Sequence, residues 1–229
     1  QGLRRGEAQV SAVHPAHQPR RAYVPPLQWP RDPRGLTSAL RFTMPSRSLE
    51  STFQLLQQGE ISFPKLSPVG SNYTFIVDVV HGTDECRAVY KPRDGEVPLW
   101  DFPDGTLYKR EYAAYLLSQI LGWDFIPLTI MRDGPYGLGS LQLYIDHDPR
   151  INYFSLRETN GDHLALMACF DLVTNNADRK ASHCIEDPDG KMWGIDHGLT
   201  FHPVIKVRTV IWDYAGAPIS EHLQTDMAS

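Results

Sequence analysis

Cysteine is scarce in this 229-residue chain: Cys86, Cys169 and Cys184 are odd in number, widely spaced and set among apolar residues. That argues against a disulfide framework or a four-thiolate zinc site and fits a reducing cytoplasm. Long apolar runs are missing too. Nothing approaches the ~18 apolar residues of a membrane span, and the first residues lack the apolar segment of a signal peptide. The glycines never fall into G-x-G-x-x-G, so the dinucleotide fingerprint is absent and Asp133 to Gly139 reads as a loop. Lysine is rare, with six in all. What is present is ordinary: 41% hydrophobic and 21% charged residues, enough for one sizeable core or two small lobes sharing a cleft.

Charge is uneven. Residues 1–43 hold seven arginines against Glu7 and Asp32, with six prolines, a balance of +5. The whole chain carries −5, so residues 44–229 carry −10. A Pro/Arg-rich stretch with scattered apolar residues has no periodic face to bury, and residues 1–44 are expected to form a disordered basic leader. Gln1 at the start and Met44 just before the first periodic segment suggest an extension upstream of a natural start; a basic arm that docks something anionic is the other reading.

Order is expected from Pro45. Ser46 or Ser48 can cap a helix over Leu49–Gln58, which Gly59 ends. Ile61–Phe63, Tyr73–Val80 and Arg87–Lys91 read as strands, with a turn at His81–Asp84. Between the first two, Ser71 and Asn72 sit where small polar residues let backbone N–H groups approach a phosphate. Alternation in the third strand puts Arg87, Val89 and Lys91 on one face and Cys86, Ala88 and Tyr90 on the other. Thr106 can cap a helix to Leu121, stopped by Gly122. Ala113, Leu116, Leu117 and Ile120 form its expected core stripe, and Glu111 shares another stripe with Ala114, Tyr115 and Ser118. Strands at Ile126–Met131 and Ser140–Ile145 lead into a linker, Asp146 to Pro149. The strongest helical pattern is Asp162–Thr174, with Leu164, Met167, Ala168, Phe170 and Leu172 available to a core. A hairpin of Cys184–Glu186 and Lys191–Ile195 closes through Asp187-Pro188-Asp189-Gly190.

Chemistry concentrates around that hairpin. Asp178, in Asn175-Asn176-Ala177-Asp178-Arg179-Lys180, is followed eighteen positions later by Asp196 in Gly194-Ile195-Asp196-His197-Gly198. Two carboxylates so placed can divide phosphoryl-transfer work, one orienting an attacking hydroxyl and one holding Mg²⁺. Upstream, the apolar strand Ala88-Val89-Tyr90 ends in Lys91, and Glu111 lies on the next helix. A lysine and glutamate in that order can grip nucleotide phosphates.

These residues, with Gly139 to Ile145 and Ile195 to Phe201, resemble the phosphatidylinositol 3/4-kinase-like superfamily, and Leu99 to Leu107 and Val207 to Asp213 resemble motifs of an actinobacterial group within it. The type II phosphatidylinositol 4-kinases are nearest in motif, and an actinobacterial group of the superfamily is more similar still. The likeness spans roughly residues 48–215. It implies a two-lobed, protein-kinase-like α+β fold: an antiparallel sheet lobe with one helix over residues 45–145, and a small, mainly helical lobe over 146–229. Since the chain ends 33 residues past Asp196, that second lobe is expected to lack helices of a complete protein.

Residue by residue, the resemblance implies that Lys91 contacts the nucleotide phosphates and Glu111 orients it. Gln142, Leu143, Tyr144 and Ile145 would line the adenine end. Asp178 would be the catalytic carboxylate, in one loop with Arg179 and Lys180, and Asp196 the metal ligand. The second metal position, five residues after the catalytic Asp, is usually asparagine in the superfamily and is His183 here; His197 replaces Phe or Asn. ATP and Mg²⁺ are the implied cofactors, and nucleic acid is not an expected partner.

Three readings follow: an ATP-dependent phosphotransferase, a nucleotide-binding pseudokinase acting as a regulatory module, and a transition-metal hydrolase built on Asp178, His183, Asp196, His197 and His202. The −10 balance, with no polybasic patch beside the site and no cysteine cluster for acylation, favours a small-molecule or protein hydroxyl as acceptor over a phosphoinositide.

Overall fold

The computed structural model describes residues 48–67 and 72–228. The expected leader, Ser46 and Ser71 lie outside the described residues. Helix α1 (Leu49–Gln58) follows Ser48, whose hydroxyl accepts the Ser51 N–H, and ends at Gly59, whose N–H returns to the Leu55 carbonyl. Strands β1 (Glu60–Leu66), β2 (Phe75–His81) and β3 (Asp84–Pro92) lead through a 3₁₀ turn, Arg93–Gly95, to helix α2 (Leu107–Ile120). Strands β4 (Thr129–Gly134) and β5 (Gly137–Leu143) complete an antiparallel sheet of order β1-β2-β3-β5-β4. The β1–β2 register shifts between Ser62 and Lys65. Pro64 falls there with no N–H for a ladder, which an edge strand tolerates.

Beyond the sheet come a short helix α3 (Tyr153–Leu156), the apolar helix α4 (Gly161–Val173), the two-stranded hairpin β6 (Cys184–Glu186) and β7 (Met192–Gly194), and helix α5 (Glu221–Ala228). A sheet unit with helices α1 and α2 packed on it, where one helix was expected, followed by a smaller unit whose regular elements are mainly helices, is the α+β, two-lobed architecture expected. Among the described residues no helix is long and apolar enough to cross a membrane.

Pairing registers place Val77, Val79, Ala88, Tyr90, Leu141 and Ile130 on one face of the sheet, and these share a buried core with Leu55 and Leu56 of α1. Val89, Lys91, Ser140 and Gln142 line the opposite face, toward α2. The sheet thus separates a dry layer from the layer that carries charge, and period-2 alternation alone accomplishes the sorting.

Three expectations are corrected. On α2 the buried stripe is Leu107, Tyr108, Glu111, Ala114, Tyr115 and Ser118, whereas Leu116 and Ile120 are 40% and 78% exposed. The small side chains of Ala114 and Ser118 let the helix approach the sheet, and that close approach outweighs the apolar stripe. On α4, Leu172 is 54% exposed, and Asp171, one residue earlier, is buried in its place. The glycine-rich segment read as a loop is a tight hairpin: Gly134 and Gly137 pair at its end, and Tyr136 stacks on Phe75 at 4.6 Å.

Gly139 shows why a glycine is needed there. A Cβ would meet the Pro92 Cα at 2.8 Å and the Lys91 carbonyl carbon at 2.9 Å, backbone atoms that cannot move aside. Gly139→Ala is therefore expected to cost about 1–3 kcal/mol, read as a lower urea midpoint at unchanged slope. An unshifted midpoint would show that β3 and β5 have slack at this crossing.

Candidate phosphate and metal site

Three elements converge on one ammonium. Lys91, near the end of β3, pairs with Glu111 of α2 and with Asp196 Oδ1 at 2.8 Å, just past β7. Its side chain is 22% exposed, that of Glu111 4% and that of Asp196 46%. Burial opposes the Lys91 charge, but the Asp196 and Glu111 carboxylates outweigh it and hold its pKa above the ordinary lysine value. The same ammonium holds Asp196 far below the usual carboxylate range. Glu111 moves the other way: burial raises it, with Lys91 pulling it back. One cation against two carboxylates leaves a local charge of −1, which favours a further cation.

Helix α2 also grips the Asp196 segment directly. Glu111 Oε2 accepts the His197 N–H at 2.9 Å, and Arg110 Nη1 donates to the carbonyls of Thr200 and Phe201 at 2.6 and 2.9 Å. Asp196 itself has φ of 60°, a left-handed turn that aspartate tolerates far better than a bulky or β-branched residue.

The Asp178 loop is organised by a different charge pair. Arg179 and Asp171 have fully buried side chains. Asp171 accepts from Arg179 Nε and Nη2, from Asn176 Nδ2 at 2.8 Å and from Thr209 Oγ1 at 2.9 Å. Arg179 also donates to the Ile195 carbonyl through Nη1 and to His197 Nε2 through Nη2. Arg179, expected in the catalytic set, has a fully buried side chain in this structure and bonds the loops on either side. Segment 208–210 runs beside the loop, with Arg179 N–H to Arg208 O, Val210 N–H to Arg179 O and Arg208 N–H to Asn176 O. Asp178 is left partly open, its Oδ2 2.7 Å from the exposed Lys180 Nζ.

His183 links the two loops. Its Nδ1 accepts the Lys180 N–H at 3.3 Å, so its proton sits on Nε2 and points to Asp196 Oδ2 at 3.2 Å. Burial pulls its pKa down to about 4, so it is neutral at pH 7. For the metal-ligand role expected of it, ligation through Nε2 would need the other tautomer, setting Nδ1–H against the Lys180 N–H. The five-residue Asp/His cluster is corrected. His197 is fully buried with Nε2 on Arg179, and both ring nitrogens of His202 are bonded, to Asp101 O and to Val204. Among the described residues no group of three or more His, Cys, Asp or Glu side chains is arranged as a metal cage.

At the other end of the site, Gln142 is buried and its amide donates to Thr129 Oγ1 at 2.8 Å. Leu143 N–H is taken by Leu128 O and Tyr144 N–H by Arg87 O. Arg87 also lies over the Tyr144 ring at 4.5 Å and pairs with Asp146. Among the described residues the Ile145 N–H has no partner. Asn72 is not at the Lys91 cluster through its side chain; its Oδ1 accepts the Val97 N–H at 2.7 Å.

Sequence reasoning missed Asp171, Asn176, Glu96 and Thr209. Asp171 carried a usable signal, a lone acid inside the apolar run Leu164 to Val173, since a charge in a buried helix must be paired.

Among solved structures, the chain is similar to the crystal structure of a Helicobacter pylori proinflammatory kinase, CtkA, at a TM-score of 0.45 and 13% identity, over 64% of this chain and 60% of that one. The chain thus spans less than two thirds of that kinase. No protein-family model matches. By sequence it is 39% identical over 204 residues to Protein Rv2133c of Mycobacterium tuberculosis (strain ATCC 25618 / H37Rv), across 74% of this chain and 73% of that protein, and it belongs to the family of that protein.

Two outcomes are expected. Arg179→Met strands the Asp171 carboxylate and should cost about 3–5 kcal/mol, seen as a large fall in melting temperature; a change under ~1 kcal/mol would mean that Asp171 finds other partners. Stability should also fall with acidification. His183 titrates near 4 when folded against 6.5 ordinarily, so the unfolded chain binds the extra proton in that window. The His183 contribution is therefore full above about pH 6.5 and is lost as pH falls toward about 4. His197 is shifted in the same direction by burial and Arg179. His183→Gln should flatten part of the slope of unfolding free energy between pH 7 and 5, and an unaltered slope would contradict the assignment.

Proposed function

We propose that the chain is an ATP-dependent phosphotransferase of the two-lobed, kinase-like type, moving the γ-phosphate to a hydroxyl of a small molecule or protein. The observation that carries this is the Lys91 ammonium held between Glu111 on the helix and Asp196 on the loop. A lysine so fixed presents its charge where nucleotide phosphates enter, and Glu111 keeps it from folding away. Ile145, two residues past β5, offers its backbone N–H to the adenine edge.

Asp196 fits a magnesium site by its donor chemistry: a half-exposed carboxylate in a locally negative cluster, which suits an ion that takes one or two carboxylates plus phosphates and waters. When bound, that ion would neutralise the phosphate oxygens. Asp178 stands as the base, accepting the proton of the acceptor hydroxyl as the acceptor oxygen bonds to the γ-phosphorus. The β–γ bridging P–O bond breaks, and ADP leaves with its electron pair.

One observation favours a second reading, a nucleotide-binding module without turnover. His183 stands where the superfamily usually has asparagine, and it donates to Asp196 where a second ligand would offer a lone pair. The two are separated by crossing two variants. Asp196→Asn should weaken ATP binding with Mg²⁺ and leave metal-free binding alone. Asp178→Asn should preserve affinity and cut phosphate transfer by about 10²–10⁴-fold. Wild-type binding without any ADP formation selects the second reading, and absence of nucleotide binding rejects both.

A further inference from the structure

Helix α2 carries the residue that orients Lys91, yet its own first turn is poorly made. It contains no acidic residue and does contain Lys109 and Arg110, cations at the end of a helix that disfavours them. Thr106 occupies the cap position without capping; its hydroxyl goes to the Pro103 carbonyl at 2.6 Å. The first free amides are satisfied from outside the helix. Glu96 Oε2 accepts the Leu107 N–H at 3.0 Å and Oε1 accepts the Tyr108 N–H at 2.8 Å.

Glu96 lies five residues after Lys91, just past the 3₁₀ turn that continues β3. That turn is itself held. Glu96 N–H bonds to Arg93 O, Tyr73 N–H to Gly95 O, and Val97 N–H to Asn72 Oδ1. A rigid path therefore runs from the segment before β2, through the turn beyond Lys91, to the start of the helix that bears Glu111.

We propose that Glu96 is a positioning residue: its carboxylate locks the N-terminus of α2 to the end of β3 and so sets the distance at which Glu111 meets Lys91. A mere cap would stabilise the helix wherever it lay. A carboxylate anchored on the lysine strand also dictates where the helix lies, and its removal lets Glu111 drift from Lys91 while α2 remains folded.

The inference rests on the phosphotransferase reading only for its nucleotide arm. In the full chain without ligand, Glu96→Ala should speed amide exchange over residues 107–111 by about tenfold, the size of a lost cap, with α4 unaffected. The Lys91 ammonium, expected as a slowly exchanging ¹⁵N-coupled NMR signal in the wild type, should lose its protection. ATP affinity should fall ~tenfold, and the losses of Glu96→Ala and Glu111→Gln should fail to add, because both act through Lys91. Glu96→Gln, keeping one acceptor oxygen, should fall between; if the alanine variant does not fold, it decides on the same readouts. Faster helix exchange with an unaltered Lys91 signal reduces Glu96 to a cap and overturns the proposal, as does unaltered exchange. Should the wild type bind no ATP, the phosphotransferase reading fails while the unliganded measurements still decide the role of Glu96.

Discussion

A single ammonium, that of Lys91, is the point on which the rest of the structure depends. Taking a lysine out of water costs several kcal/mol unless carboxylates replace the solvent, and here they come from two other elements, Glu111 and Asp196. The sheet and α2 must therefore keep fixed mutual positions, because separating them would leave Glu111, 4% exposed, without its cation, and the loop after β7 is drawn to the same ammonium through Asp196. Hydrophobic burial is non-directional and would allow these elements to slide. The ion cluster restricts that freedom and leaves Asp196 half-exposed.

A second, drier node does the same for α4 and the loops packed on it. Asp171 and Arg179 satisfy one another at zero exposure, with Asn176 and Thr209 supplying the remaining donors to the carboxylate. Through them α4, the Asp178 loop and segment 208–210 become one body. Arg179 touches both the Ile195 carbonyl and His197, so the two nodes communicate across the Asp196 turn. Each charged residue that looks superfluous to chemistry holds in place a loop whose backbone is irregular and which apolar packing could not hold by itself.

Much of this was legible along the chain because it depended on neighbours in sequence. The bounds of α1 followed from Ser48 and Gly59, the β2–β3 hairpin from its β-branched run and turn, and the β6–β7 hairpin from Asp187-Pro188-Asp189-Gly190. The pairing of Lys91 with Glu111 was anticipated from alternation on a strand and stripes on a helix. The face of α2 was misjudged for an instructive reason. Leu116 and Ile120 are the more apolar choice, but the helix turns Ala114 and Ser118 inward because small residues let it lie close to the sheet and bring Glu111 to the lysine. Periodicity counts hydrophobicity; it does not count how near two backbones can come.

Local sequence by itself determined most of the strands, the three longest helices with their approximate ends, and the candidate carboxylates, since propensity, capping and turn chemistry act within a few residues; the short helices α3 and α5 and the tight β4–β5 turn carried no such signal. Only the tertiary structure decided what each polar group does. It buried the Arg179 side chain against Asp171, directed the proton of His183 to Asp196, and recruited Glu96 to cap a helix eleven residues away. Those outcomes depend on which donors and acceptors meet once water is excluded. Hydrogen bonds and ion pairs are short-ranged and directional, so a residue's role is set by partners that the chain brings together only when it folds.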